Sequence, residues 1–230
     1  MIRLDKLVSK SLGLSRKEAS KLIRSGRVSV NNAIEKSSST NLSDSDKIEF
    51  EGKQLEAPNK RYILLNKPQG YICSTKDEEY PSTLNLIDIP TDKLHFAGRL
   101  DADTTGLVLI SDDGQWTHRI TSPKHKHSKT YKVSLDEVIT DEAIFKLENG
   151  VILKDSDKPT QSAKVKVINQ KLIELSITEG RYHQVKRMVA AVGNHVVGLH
   201  RLAIGEISIP KDMEIGEWRK LTQVEVDCFR

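Results

Sequence analysis

The chain has 230 residues and a mass of 25.9 kDa, with 37% apolar and 30% charged residues, a net charge of +4 and an isoelectric point near 8.9. Because it contains no run of 18 apolar residues and no apolar leader, neither a transmembrane helix nor a signal peptide is expected. Cys73 and Cys228 are its only cysteines, so a disulfide framework or a cysteine-based zinc site is not expected either. We predict a cytoplasmic globular protein with one large domain or two smaller ones.

Positive charge is concentrated in three windows of the sequence. Residues 1–30 carry eight basic and two acidic side chains, whereas 118–132 and 181–201 carry five and four basic side chains with no acidic ones. The three windows together have a net charge of +15, and the remaining residues have a net charge of −11. Six of the seven histidines also lie in the three windows. Because clustered cations raise the local potential, this pattern favours a nucleic acid partner over ordinary solvated faces.

The first 55 residues predict a small module of two helices and short strands. Apolar residues at helical spacing over 4–8 indicate a first helix. Ser15 and Glu18 form a capping box that begins a second helix, and Gly26 ends it. Alternating residues then predict strands, first at 27–30 and later at 47–50.

The second predicted helix has a basic outer face. Lys17, Lys21 and Arg24 follow one another at i, i+4 and i+7. Like charges at this spacing slightly destabilise an isolated helix. A sequence that accepts this cost is expected to use the stripe for binding.

A polar, proline-containing segment at 56–60 predicts a linker, and a longer domain follows it. Apolar or alternating segments predict strands at 61–66, 107–110, 130–135, 163–168, 172–178 and 196–204. Helices are predicted at 141–148, at 185–192 and after a cap formed by Thr222 and Glu225. Because strands and hairpins prevail, we predict an α+β fold with a mixed, largely antiparallel sheet flanked by helices.

Two segments of this domain are candidates for a site, one for catalysis by a carboxylate and one for contact with a nucleobase. The loop at 98–106 contains Arg99, Asp101 and Asp103 between two glycines, which let a backbone approach a ligand closely. An ordinary Asp/Gly turn has the same composition. In the segment 129–132, Tyr131 lies among cations, where it could stack on a base or be a half-buried strand residue.

A third segment, 179–188, places four cationic or potentially cationic groups at the start of a helix. The free amides and the dipole of a helix N-terminus favour anions, so a phosphate contact is preferred here to a solvated helix end. Other chemistries lack their motifs, since no P-loop, dinucleotide fingerprint or G-x-S-x-G elbow occurs. His125 and His127 have no acid or thiol nearby, so no metal site is expected there.

These motifs resemble those of two families. RLD at 3–5, SR at 15–16, LI at 22–23 and GRVSVN at 26–31 resemble the S4 RNA-binding domain. GRLDADTTGL at 98–107, KTY at 129–131 and EGRYHQVKRM at 179–188 resemble motifs of the pseudouridine synthases, in the branch that acts on small-subunit ribosomal RNA. The resemblance covers essentially the whole chain. It implies an S4 domain of the αL type at 1–58 and a pseudouridine synthase domain at 59–230.

The resemblance implies an isomerase that flips a uridine out of RNA and exchanges its N-glycosidic bond for a C5–C1′ bond, without a metal or any other cofactor. Asp101 matches the essential aspartate, and Tyr131 the tyrosine that lies against the target base. Lys186 matches a basic partner that is often arginine in relatives, so it keeps the charge but not the planar fork. The resemblance and the basic stripe together assign RNA or substrate binding to Arg99, Thr104, Arg181, Gln184, Arg187, Arg16, Lys17, Lys21 and Arg24.

The expected substrate is 16S (small-subunit) ribosomal RNA, either free or in an assembly intermediate. The protein is expected to be a monomer and not to bind a membrane. Two alternatives remain open. One is a sister synthase acting on 23S ribosomal RNA, and the other is a non-catalytic S4 RNA-binding or ribosome assembly factor. The intact GRLD loop around Asp101 favours an enzyme over the second alternative.

Overall fold

Two units make up the computed structural model, one over Met1–Lys60 and one over Arg61–Arg230. The structure describes residues 2–43, 45–55 and 60–229. The predicted linker at 56–60 therefore lies outside the described residues, apart from Lys60. Within the described ranges, no helix combines the length and the apolar character that crossing a bilayer requires.

The first unit contains both predicted helices. Its elements are β1 (Ile2–Arg3), α1 (Leu4–Leu12), α2 (Arg16–Arg24), β2 (Val28–Val30), β3 (Ala33–Ile34), β4 (Asn41–Leu42), β5 (Ile48–Phe50) and β6 (Lys53–Gln54). The capping box of Ser15 and Glu18 is confirmed, with both of its hydrogen bonds present. Leu4, Val8 and Ile23 are fully buried between the helices and the strands, so the apolar spacing seen in the sequence forms this unit's core.

The second unit is built on a nine-stranded sheet. Its strands are β7 (Tyr62–Lys67), β8 (His95–Phe96), β9 (Thr105–Ser111), β10 (Lys129–Leu135), β11 (Lys164–Asn169), β12 (Leu172–Ile177), β13 (Val196–Ile204), β14 (Ile207–Ser208) and β15 (Trp218–Lys220). The strand order is β11-β12-β10-β13-β9-β7-β15, with β8 beside β9 and β14 beside β13. Among these described strands only β9 and β13 pair in parallel. The mixed, largely antiparallel sheet and the α+β class are confirmed.

Both faces of this sheet are covered. In β9, Val108 and Ile110 contribute to one apolar cluster, whereas Leu107 and Leu109 contribute to a second. Because successive side chains of a strand point to opposite faces, the two clusters lie on opposite sides of the sheet. This explains why β9 is a continuous apolar run rather than an alternating one.

Among residues 60–229, four α-helices flank the sheet: α3 (Gly114–Thr121), α4 (Asp141–Asn149), α5 (Gln184–Ala191) and α6 (Gln223–Asp227). The sequence alone does not predict α3, because Asp112-Asp113-Gly114, just after the predicted strand at 107–110, has the composition of a turn. The Asp113 carboxylate instead accepts from the amides of residues 115 and 116 and so caps the helix. Trp116 and Ile120, one turn apart, bury its inner face.

The contact between β9 and β13 depends on Gly106. Its φ is +108°, and a Cβ there would lie 2.4 Å from the carbonyl oxygen of Arg201. A side chain at this position is therefore excluded by strand packing, whereas the sequence had indicated close approach to a ligand. The close approach holds the loop that precedes β9 against β13.

Candidate active site

A cavity of about 230 Å³ lies beside the loop that precedes β9, and the three predicted chemical segments meet there. It is lined by Asp101 from the loop, by Tyr131 from β10 and by Lys186 from α5. Both β9 and β10 pair with β13, and α5 follows shortly after β12, the other neighbour of β10. The sheet topology therefore brings together residues that are up to 85 positions apart.

Lys186 bridges two carboxylates at the mouth of this cavity. Its Nζ donates to Asp101 Oδ2 at 3.2 Å and to both oxygens of Asp103 at 2.7 and 2.9 Å. Asp103 is 62% exposed and Asp101 only 34%, so Asp101 is the carboxylate on the cavity side. Asp103, the second carboxylate of the loop, is not among the predicted site residues, and the structure places it in contact with Lys186 rather than in the cavity lining.

The contact between Asp103 and Lys186 shifts the pKa values of both residues. The hydrogen bond from Lys186 holds the pKa of Asp103 below its usual value. Burial lowers the pKa of Lys186, but its hydrogen bonds to Asp103 and Asp101 more than offset this, so the pKa is raised overall. Asp103 and Lys186 therefore both carry charge at neutral pH.

His183 contacts the other carboxylate oxygen of Asp101, and the sequence did not predict this contact. Its Nε2 lies 3.3 Å from Asp101 Oδ1. The residue is the N-cap of α5 and has a φ of +48°, in the left-handed region. The sequence shows that His183 lies directly before a basic helix, which could have marked it as a site residue. It does not show that the imidazole points toward Asp101.

Tyr131 is buried and still lines the cavity. It lies on β10 between Leu175 of β12 and Arg201 of β13. The sequence left open whether Tyr131 is a half-buried strand residue or one that stacks on a base. Its position allows both, because the residue is buried in the sheet and also lines the cavity. Lys129, two residues earlier, lines the same cavity, and burial lowers its pKa.

Two buried cations hold the loop at 98–106 through its main chain. Lys67 is fully buried, and its Nζ donates to the carbonyls of Pro68 at 2.9 Å, Ala102 at 3.4 Å and Thr104 at 2.8 Å. Burial lowers its pKa to about 8. The carbonyls of residues 102 and 104 belong to the loop that carries Asp101, so the ammonium of Lys67 fixes the main chain of this loop.

Arg201 makes the second attachment. Its Nε donates to the carbonyl of Leu107 at 2.7 Å and its Nη1 to that of Arg99 at 3.4 Å. Neither Arg201, inside β13, nor Lys67, at the end of β7, was predicted from the sequence, because no local pattern marks a cation in a strand as buried.

Three residues that the sequence assigned to RNA or substrate binding are engaged with the chain itself. Gln184 accepts from the amide of Arg181 at 2.8 Å and donates to Glu179 at 2.7 Å. The guanidinium of Arg181 donates to Glu179, to the hydroxyl of residue 156 and to the carbonyls of residues 158 and 159. Thr104 is buried, and its hydroxyl lies 3.4 Å from Asp103. An RNA contact by these three residues stays a prediction.

Arg99 and Arg187 differ in how free their side chains are. Arg99 is exposed beside the cavity, and its guanidinium has no hydrogen-bond partner among the described residues. Arg187 donates to the carbonyl of Tyr182 and lies 3.3 Å from Asp155. Arg99 is thus the more available of the two for a phosphate.

The basic stripe of α2 is exposed in the first unit. Lys17, Lys21 and Arg24 are all exposed. Arg16 instead pairs with Asp5 at 2.7 Å. Burial raises the pKa of Asp5, but hydrogen bonds from Arg3 and Arg16 outweigh it and lower the pKa overall. Arg16 therefore braces α2 against α1, while the other three cations face solvent.

Comparison with known proteins identifies relatives of both units. A family model described as RNA pseudouridylate synthase matches residues 61–191, and an S4 domain model matches residues 2–48. The chain is 47% identical over 228 residues to ribosomal small subunit pseudouridine synthase A of Haemophilus influenzae, with 98% of each chain covered. It is 48% identical over 227 residues to the protein of that name from Escherichia coli K12, again with 98% of each covered. A solved structure described as that of a pseudouridylate synthase covers 100% of both chains at 46% identity and a TM-score of 0.73.

Proposed function

The chain belongs to the RNA pseudouridylate synthase family, and from this premise we propose that it converts one uridine of 16S, small-subunit ribosomal RNA to pseudouridine. The observation that carries the proposal is the juxtaposition of Asp101, Lys186 and Tyr131 at one cavity, in a chain that matches small-subunit synthases over 98% of its length. We assign RNA binding to an S4 domain at 1–58 and catalysis to 59–230. The chain is proposed to act as a cytoplasmic monomer, with ribosomal RNA as its partner.

The reaction is an isomerisation within the substrate. The N1–C1′ bond of the uridine breaks, the detached base turns, and a C5–C1′ bond forms while the C5 proton is lost and N1 gains one. In this proposal the uridine leaves its stack and enters the cavity, at a cost of a few kcal/mol that stacking and phosphate contacts offset. Tyr131 lies against the base, and Asp101 faces C1′ of the ribose.

Asp101 has two chemically reasonable roles in this geometry. It can attack C1′ as a nucleophile, or it can accept a proton from C2′ as a base. Lys186 and His183 contact different oxygens of the carboxylate, at 3.2 and 3.3 Å, and so orient it for either role. A single reactive carboxylate is sufficient, because the reaction does not require an activated water as glycoside hydrolysis does.

The test of the function maps pseudouridine on 16S and 23S ribosomal RNA after incubation with the purified protein. We expect a single new pseudouridine in the small-subunit RNA, with matching tritium release from RNA labelled at C5 of uridine. A product found only in 23S RNA would assign the chain to a sister synthase. RNA binding without product on either RNA would contradict the enzymatic proposal and favour the assembly factor.

The lysine of the ion pair should matter through its charge. We expect Lys186→Met to lower kcat about 10²-fold, because the carboxylate of Asp101 loses a donor that is aimed at it. Lys186→Arg keeps the charge and should retain activity within about tenfold. Single-turnover kinetics measures both. Equal losses in the two variants would mean that the shape of the lysine matters rather than its charge.

The stripe of α2 should supply part of the salt-dependent affinity. We expect the triple variant Lys17→Gln, Lys21→Gln, Arg24→Gln to weaken RNA binding and to reduce the slope of log K against log salt by about 2 to 3, the value for three lost phosphate contacts. Filter binding at several salt concentrations measures this.

The matched control removes the same charge from the same unit. It neutralises three other exposed cations, Lys36, Lys47 and Lys53. The control should leave the slope nearly unchanged. Equal slopes in the two triple variants would contradict a specific role of the stripe.

A further inference from the structure

Tyr182 is the most exposed aromatic side chain among the described residues. It is 75% exposed, compared with 67% for Phe145 and 42% for Tyr80. One face of its ring packs on His183, with centroids 3.7 Å apart and planes 23° from parallel. Because the residue is still 75% exposed in spite of this contact, much of the ring surface that His183 does not cover is accessible to a ligand.

This stack is directly connected to the reactive carboxylate. The same imidazole that packs on Tyr182 places its Nε2 3.3 Å from Asp101. Tyr182 lines a second groove, of about 590 Å³, which shares Arg99 and Asp101 with the cavity that holds Tyr131. Whatever occupies this groove therefore lies next to the occupant of the cavity.

The groove has acidic and basic lining residues, and its acidic residues disfavour a phosphate beside them. Glu78 and Glu79 line the groove and are both exposed. Arg181 also lines it, but its guanidinium donates to Glu179 and to three other acceptors of the chain. A phosphate beside Glu78 and Glu79 would meet two exposed carboxylates, whereas a base would meet an exposed aromatic ring. Arg99, the exposed cation of the groove, also lines the cavity and can contact a phosphate of the nucleotide that lies there.

We propose that Tyr182, backed by His183, is a stacking platform for the base of a nucleotide adjacent to the uridine at Asp101. This inference rests on the proposed function, because it takes the cavity to hold the target uridine. Stacking on an aromatic ring accepts any base, so the platform positions the single strand without reading its sequence. When the uridine flips out, the neighbouring base loses a stacking partner, and the ring of Tyr182 replaces that partner.

The test uses short single-stranded RNAs that contain one uridine flanked on its 5′ or 3′ side by 2-aminopurine, whose fluorescence is quenched by stacking. With the full chain, we expect quenching for one of the two positions. Tyr182→Ala should abolish the quenching and weaken binding of that RNA about tenfold, the low end of the effect of one stacked base. Tyr182→Phe should preserve both, because the ring face remains.

A matched control and an abasic RNA distinguish the platform from a general surface effect. Phe145→Ala removes another highly exposed ring, from α4, and should change neither quenching nor affinity. An abasic residue at the quenched position should weaken binding to the wild-type chain but not to Tyr182→Ala. Quenching that survives in Tyr182→Ala, or that appears at neither position, would overturn the proposal.

The measurement requires no turnover, so its failure is distinct from failure of the proposed function. Absence of pseudouridine in ribosomal RNA would contradict the function, while position-specific quenching at Tyr182 would still report a base at the platform. Normal product formation without quenching would retain the function and eliminate the platform.

Discussion

Asp101→Asn is expected to abolish pseudouridine formation, with a loss of about 10⁴-fold or more, as for other residues that act directly on the reacting atoms. The amide is nearly isosteric with the carboxylate, but it can neither attack C1′ nor accept a proton. RNA affinity should be retained, because the three exposed cations of α2 and Arg99 are untouched. Product formation in a single turnover and filter binding on the same preparation separate the two effects.

Asp103→Asn is the matched control for this loss. It makes the same chemical change two residues away, in a carboxylate that also accepts from Lys186. Since Asp103 is 62% exposed and acts only through Lys186, we expect a decrease of about tenfold or less. A comparable loss in both variants, or appreciable turnover by Asp101→Asn, would contradict the assignment of Asp101 as the reacting carboxylate.

Much of the fold could be predicted because local patterns and tertiary structure agree. The capping box of Ser15 and Glu18 begins α2 as predicted, and β13 runs over Val196–Ile204 as predicted. Helix α3 was missed because its cap, Asp113, lies in a segment that also has the composition of a turn. Its inner face is defined by only two large residues, Trp116 and Ile120, which is too few for a clear helical period.

The site could be predicted only where a residue belongs to a recognisable motif. Asp101, Tyr131 and Lys186 lie in three motifs of the resemblance, and the structure brings them to one cavity. Lys67 and Arg201 could not be found in this way, since their function depends on burial and on main-chain acceptors from distant segments. No local pattern encodes a contact between a side chain and a carbonyl 37 residues away.

Lys67→Met should therefore impair catalysis although Lys67 does not line the cavity. Without the ammonium, the carbonyls of Pro68 and Thr104 lose a buried donor, and the loop that carries Asp101 is free to shift. A displacement of about 1 Å at a reacting group can cost about 10²-fold in rate, and we expect a loss of that order. Lys171→Met is the control, because Lys171 also donates to a carbonyl, that of Asp136, but on the surface.

The pH dependence of stability tests whether Lys67 is buried as a cation. Its pKa is lowered from 10.5 to about 8 in the folded chain, chiefly by burial. Between these values the unfolded chain binds more protons than the folded one, so this lysine contributes stability that increases with pH and is lost as pH falls through 8. With about 1.4 kcal/mol per pKa unit, the unfolding free energy of the wild type relative to Lys67→Met should rise by about 2 kcal/mol from pH 7 to pH 9.5. Urea unfolding of both proteins measures the difference, in which other titrating groups cancel. A difference independent of pH would mean that the amine reaches water and does not support the loop from within the core.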